Sequence, residues 1–490
     1  YVIHRSLKYS NKKFIKILKV NKKIEKIFKK DRLDIEFAFK KNSIYIFQCR
    51  ELNFNKKIKN INLDNSLKAI EKKINKLTKP LPNIYGRANI FSNMADWNPA
   101  EIIGVKPKQL ALSLYQNLIT DNVWSMQRSN FGYKDVKPYP LMFSFGSSPY
   151  IDVRTDLNSF LIKDLKNNDG EKIINYYLNK IIKNPKVHDK IENEIFPTYF
   201  SFNKKKYLEL KKIIGKKNLS SYKKTLKEIT LNNFLSTSKN NYESSKILEL
   251  KKNIDKIKKL NLSLLHKIFL TVNYCKNLGT ISFASMARKA FIATGFIDDL
   301  NKIGILNARD VKNLYSSIQT VSKNIQNDLL LLKKKNISKK LFLKKYGHLR
   351  PSTYSINSKN YQDGYNDYFN LKNNTQVNNK KFTLEKYKLN KIDNLLKVNS
   401  FQMKSKNFIK YLQSCIEERE RFKLIFTIAI DDIFSYLKKM GKRLKLSSSD
   451  LEFLDIDILI KSFSNLNFSK LEKIIKENIK LNKYKLSHQS

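Results

Sequence analysis

Apolar residues recur at helical spacing through most of this 490-residue chain. The pattern covers residues 159–259 and 262–337, and it returns from Asn407 to about Met440. Lysine and asparagine occupy most of the other positions, so each segment has an apolar stripe and a polar outer face. We therefore predict a large, mainly α-helical region whose helices pack through these stripes.

One short stretch follows a different period. From Leu33 to Arg50 the side chains alternate in character, with a polar interruption at residues 40–43. This alternation predicts a β-hairpin. Leu67, Ile70, Ile74 and Leu77 then recur at helical spacing, which predicts a connecting helix before a boundary near residue 84. Together the elements indicate an α+β chain.

The predicted hairpin brings three polar side chains to one face. Pairing Glu36 with Gln48 also pairs Ala38 with Ile46 and leaves a loop at residues 41–43. Glu36, Gln48 and Arg50 then lie on the same side of the sheet. A carboxylate can bind Mg²⁺, while an amide and a guanidinium can donate hydrogen bonds to phosphates. An exposed strand face with a cross-strand ion pair is the alternative.

The hairpin residues resemble a known nucleotide-binding motif. The strings DIEFA at residues 34–38 and IYIFQCR at residues 44–50 resemble the closing hairpin of the ATP-grasp domain in the phosphoenolpyruvate synthase and pyruvate phosphate dikinase family. The resemblance implies that Glu36 binds the Mg²⁺ of ATP and that Gln48 and Arg50 contact its phosphates. Cys49 departs from the family pattern, at a position where small residues are tolerated.

Further motifs resemble the middle region of the same family, including its rifampin phosphotransferase branch. They occur in the same order, at residues 87–90, 96–104, 112–115, 283–288, 346–351 and 419–423. The resemblance implies that this region binds a small-molecule acceptor, whose identity the motifs do not indicate.

Four residues in these motifs are candidate contacts to the acceptor or between domains. Arg87 either reaches back towards the nucleotide or is a turn residue. Arg288 is either a ligand-binding residue or a structural ion-pair partner. His348 and Arg350, in a loop with Gly347 and Pro351, either contact the acceptor or its phosphate, or brace two domains.

The sequence contexts of the histidines indicate that the phosphate-carrying histidine of the family is not in this chain. Family members carry phosphate on a histidine of a swivelling domain, in a glycine-rich segment that ends in Ser/Thr-His. His4, His188, His266, His348 and His488 all lack that context. We therefore expect no phosphohistidine in this chain, and we expect the main ATP-grasp body to lie upstream of Tyr1. The chain on its own is expected to be inactive.

The net charge of +53 suggests nucleic-acid binding as an alternative. However, only 12 of the 96 basic residues are arginine, and the lysines are spread along the whole length. A nucleic-acid interface instead predicts a clustered basic stripe. We therefore attribute the charge to composition and expect no nucleic-acid partner. No segment is apolar enough to predict a membrane span, and three widely spaced cysteines favour a reducing cytoplasm.

These observations lead to one organisation. Residues 1–55 form the end of an ATP-grasp domain, residues 56–84 a linker helix and residues 85–490 a mainly helical acceptor-binding region. The parent protein would be an ATP- and Mg²⁺-dependent phosphotransferase. A non-catalytic nucleotide-binding or scaffold relative is the alternative, followed by a basic nucleic-acid-binding protein.

Overall fold

The computed structural model describes residues 12–28, 33–40, 43–51, 63–92, 97–187, 196–235, 237–369, 382–464 and 468–489. The chain divides into a small unit, Tyr1–Ile61, and a large unit, Asn62–Gln489. Within the described residues the protein is mainly helical and has two small antiparallel sheets. This architecture agrees with the predicted α+β class at a coarse level.

The small unit contains one helix and the predicted hairpin. Helix α1 spans Lys12–Phe28, and strands β1 (Leu33–Lys40) and β2 (Ser43–Glu51) pair antiparallel. The alternation of apolar and polar residues places one set of side chains on each face of the two-stranded sheet. The prediction of a hairpin is therefore confirmed.

The large unit is built almost entirely of helices. It begins with α2 (Leu63–Leu77), the helix predicted from its apolar spacing, which here belongs to the large unit. The helices of its first half are α3 (Pro99–Ile102), α4 (Gln109–Tyr115), α5 (Val123–Phe131), α6 (Val153–Asn158), α7 (Asn167–Lys183), α8 (Leu208–Phe234), α9 (Thr237–Lys259) and α10 (Leu264–Tyr274). Two π-helical turns, Gln116–Thr120 and Cys275–Thr280, follow α4 and α10 directly.

The second half of the large unit continues the helical pattern. Its helices are α11 (Ile281–Lys302), α12 (Ala308–Ser317), α13 (Val321–Lys333), α14 (Lys339–Tyr346), α15 (Tyr365–Tyr368), α16 (Lys386–Val398), α17 (Ser405–Arg443), α18 (Ser448–Leu451), α19 (Ile456–Lys461) and α20 (Phe468–Gln489). Short 3₁₀ turns lie at Pro185–Val187, Lys204–Tyr207 and Ser462–Ser464. Nowhere in the described ranges does a helix have both the length and the apolar content needed to cross a bilayer.

A small sheet lies near the start of the large unit. Strands β3 (Phe91–Ser92), β4 (Met142–Phe145) and β5 (Ser148–Asp152) pair antiparallel in the order β3-β5-β4. Strand β5 ends at Asp152. The Asp152 side chain accepts a hydrogen bond from the Thr155 amide and starts α6, so Arg154 is helical.

Two long helices, α11 and α17, pack against each other and contribute to both hydrophobic clusters of the large unit. Phe283 of α11 stacks on Phe426 of α17, with ring centroids 5.6 Å apart, while Phe296 lies 5.5 Å from Phe408. The order of these contacts shows that α11 and α17 run in opposite directions. Small residues of α11 lie in this core, where Ala284, Ala290 and Ala293 are buried.

One helix lies outside the segments that were predicted to be helical. Helix α16 occupies Lys386–Val398, between the predicted segments that end at residue 337 and begin at Asn407. Ile392 and Leu396 are fully buried and supply its apolar stripe. The Lys388 ammonium lies 2.9 Å from Asp310 and 2.8 Å from Glu385, so this lysine is neutralised close to the core. The apolar stripe of α16 is narrow, and in the sequence of this helix the lysine and asparagine residues outnumber the buried apolar ones.

Candidate functional site

The hairpin pairs Glu36 directly with Gln48, as predicted, and Asp34 with Arg50. The pairing changes between Glu36 and Phe37, where a β-bulge leaves one extra residue on β2. Ala38 therefore lies opposite Tyr45 instead of Ile46, and the connection is shorter than predicted because Lys40 pairs with Ser43. The bulge changes only the half of the hairpin nearest the turn, so the pairing at Glu36 is unaffected.

Each face of the hairpin has a distinct chemistry. By register, Asp34, Glu36, Gln48 and Arg50 share one face, because residues two apart on a strand point to the same side. The other face carries Ile35, Phe37 and Phe39 of β1, together with Ile44 and Ile46 of β2, because the extra residue at the bulge reverses the alternation of β2 between Ile46 and Gln48. The side chains of Glu36 and Gln48 are exposed, whereas the side chains of Asp34 and Arg50 lie outside the described residues. The polar face is accessible at its centre.

The donor set of this face fits a metal-bound polyphosphate. Mg²⁺ commonly keeps several waters and takes one or two protein carboxylates together with substrate phosphates. An exposed Glu36 beside the Gln48 amide supplies one such carboxylate and one donor group. Across the described parts of the chain, no three His, Cys, Asp or Glu side chains come together to hold a metal ion by themselves.

Arg87 occupies a turn whose backbone is held in place by a neighbouring helix. Its backbone N–H donates to Asn175 Oδ1 of α7 at 2.9 Å, and the preceding Gly86 N–H donates to Glu171 Oε2 at 3.1 Å. Gly86 has a φ of 108°, a conformation that favours glycine. The Arg87 side chain itself is exposed.

Arg288 is buried in the interior of the large unit. It lies on α11 with 3% of its surface exposed, and Nη2 donates to the Thr198 carbonyl at 3.1 Å. Its guanidinium is 4.7 Å from the centroid of the Phe160 ring and 5.7 Å from that of Tyr133. The cation–π contacts and the carbonyl hydrogen bond hold this side chain within the core.

His348 and Arg350 both contact the long helix α17. His348 Nε2 donates to the Leu424 carbonyl at 2.9 Å. Arg350 forms an ion pair with Asp431 and donates to the carbonyls of Ser355 at 3.2 Å and Ser358 at 3.3 Å. Burial lowers the pKa of His348 to about 4, so the imidazole is neutral near pH 7.

The four candidates of the large unit therefore do not form one site. The side chains of His348 and Arg350 both contact α17. The backbone of Arg87 is hydrogen-bonded to α7, and the Arg288 guanidinium is hydrogen-bonded to the Thr198 carbonyl. Of the four side chains, only that of Arg87 is exposed. His348 and Arg350 contact α17 within the large unit, and the Arg288 guanidinium bonds to a carbonyl and lies against aromatic rings.

Two arginines that we had not selected make extensive polar contacts in the interior. Arg154 is fully buried and donates to the carbonyls of Leu77 (3.0 Å), Thr78 (3.2 Å) and Lys79 (3.0 Å) at the end of α2. Arg128 is 2.6 Å from the Asp156 carboxylate, and both side chains are buried. The rarity of arginine in a lysine-rich chain was the available signal, since a buried multidentate contact requires the guanidinium.

Comparisons with protein-family models and with curated proteins produced no match. They assign no family to this chain.

Proposed function

We propose that this chain is part of an ATP-dependent phosphotransferase resembling phosphoenolpyruvate synthase. The observation that carries the proposal is the pairing of Glu36 with Gln48, with Arg50 two residues further along the same strand. That arrangement supports the resemblance because it places the acid, the amide and the arginine on one face of an antiparallel hairpin. The hairpin would be the closing part of an ATP-grasp domain.

Each residue of the proposed site has a separate role. Glu36 would bind the Mg²⁺ that accompanies ATP, and Gln48 and Arg50 would donate to the phosphate oxygens. Bound Mg²⁺ would supply charge neutralisation for the nucleotide phosphates. Phosphoryl transfer depends mainly on positioning and on electrostatic stabilisation. The hairpin would therefore need to supply only a carboxylate, an amide and a guanidinium.

The large unit would be the acceptor-binding body of the same protein. The phosphoryl group would reach an unidentified small-molecule acceptor through a carrier histidine outside this chain. Cys275 and Cys415 are free and buried, which supports a reducing compartment such as the cytoplasm.

The experiment is a comparison of Mg²⁺-dependent ATP binding and turnover in the full-length protein and its variants. Glu36→Gln should weaken ATP binding in Mg²⁺ by about ten- to a hundredfold, because removal of one charged ligand costs roughly 1.5–3 kcal/mol. Arg50→Lys should also weaken binding, since an ammonium group cannot replace a planar, bidentate guanidinium. Glu71→Gln removes the same charge from an exposed position on α2 and is the matched control.

The outcomes separate the proposal from its alternatives. Unchanged ATP affinity and turnover in both Glu36→Gln and Arg50→Lys would show that the hairpin is an ordinary exposed strand face. Nucleotide binding that depends on Glu36 without any phosphoryl transfer would instead identify a non-catalytic relative.

A further inference from the structure

We draw no further inference here: the strongest candidate, the partly buried cluster of Asp121, Asp455 and Asp457 beside Lys276 of the second π-helical turn, does not bring three carboxylates together to hold a metal ion, and nothing else in the described part of the chain points to a ligand there.

Discussion

The buried Arg350 guanidinium forms an ion pair with the partly buried Asp431 carboxylate and so attaches the segment after α14 to the middle of α17. Asn360 Nδ2 donates to the same Asp431 oxygen at 3.1 Å, and the Arg350 guanidinium lies 5.0 Å from the centroid of the Phe434 ring. One carboxylate thus receives both ends of the loop at residues 350–360. This geometry favours a structural brace within the large unit over a contact to an acceptor.

Arg350→Ala should therefore reduce stability more than it reduces any ligand binding. Removal of one partner from a buried pair leaves an uncompensated charge, and the expected loss in the free energy of unfolding is about 3 kcal/mol. Urea denaturation measures it. Arg419→Ala is the control, because Arg419 pairs with the adjacent Glu420 at a partly exposed site and should cost less than about 1 kcal/mol. Equal stability of the two variants would contradict the brace.

His348 should make the folded state sensitive to acid. Burial holds the pKa of His348 at about 4, below its ordinary value of 6.5, against the opposing effects of the Leu424 carbonyl and Asp431. As pH falls from about 6.5 to 4, the unfolded chain takes up the proton first, so stability falls by up to about 3 kcal/mol. His348→Gln should flatten this part of the stability profile, measured by urea unfolding at successive pH values.

Asp432 should stabilise the folded state as the pH falls, over a pH range similar to that in which His348 destabilises it. Burial raises its pKa to about 6, against the lowering effect of Lys258, so the folded state binds the proton more tightly than the unfolded chain. Its contribution is present below about pH 4 and is lost as pH rises through 6. Asp432→Asn should therefore steepen the loss of stability on acidification that His348 causes. An unchanged profile in both variants would refute the two assignments.

Arg154 should hold the last turn of α2 in place. The Leu77 carbonyl at the C-terminus of α2 has no intrahelical partner, and it accepts a hydrogen bond from the buried Arg154 guanidinium, which also donates to the carbonyls of Thr78 and Lys79 just after the helix. Arg154→Met should lower the free energy of unfolding by about 3 kcal/mol. It should also speed amide hydrogen exchange in α2, as measured by mass spectrometry. The control is Arg87→Met, which changes an exposed side chain close to α2 in sequence and should leave amide hydrogen exchange in α2 unchanged.

The Arg128–Asp156 pair provides a test of buried charge in the core. Asp156→Asn keeps the shape of the side chain but removes the carboxylate that lies 2.6 Å from the Arg128 guanidinium. We expect a loss of about 3–5 kcal/mol by thermal or urea unfolding. The double variant Arg128→Met, Asp156→Leu should recover part of that loss, because it removes both charges. A double variant less stable than Asp156→Asn would contradict this explanation.

Several features of the fold were predictable from local periodicity. The long helix α17 was placed within a few residues of its ends, and the hairpin was placed with Glu36 opposite Gln48. The bulge was not predicted, because a single extra residue on β2 leaves the alternation almost unchanged. Helix α16 was missed because its stripe is narrow and its polar residues resemble those of a loop.

The patterns that specify helices and strands are local, because they arise from a side chain's position on a period of 3.6 or 2. The amino-acid order alone therefore indicated a mainly helical chain with one hairpin. The partners of the arginines depend on segments far apart in the chain. Arg154 reaches carbonyls more than seventy residues away, and Arg350 reaches Asp431 eighty-one residues away. Which arginines are buried and neutralised was settled by long-range packing, since desolvating a guanidinium is tolerated only where the fold brings acceptors to it.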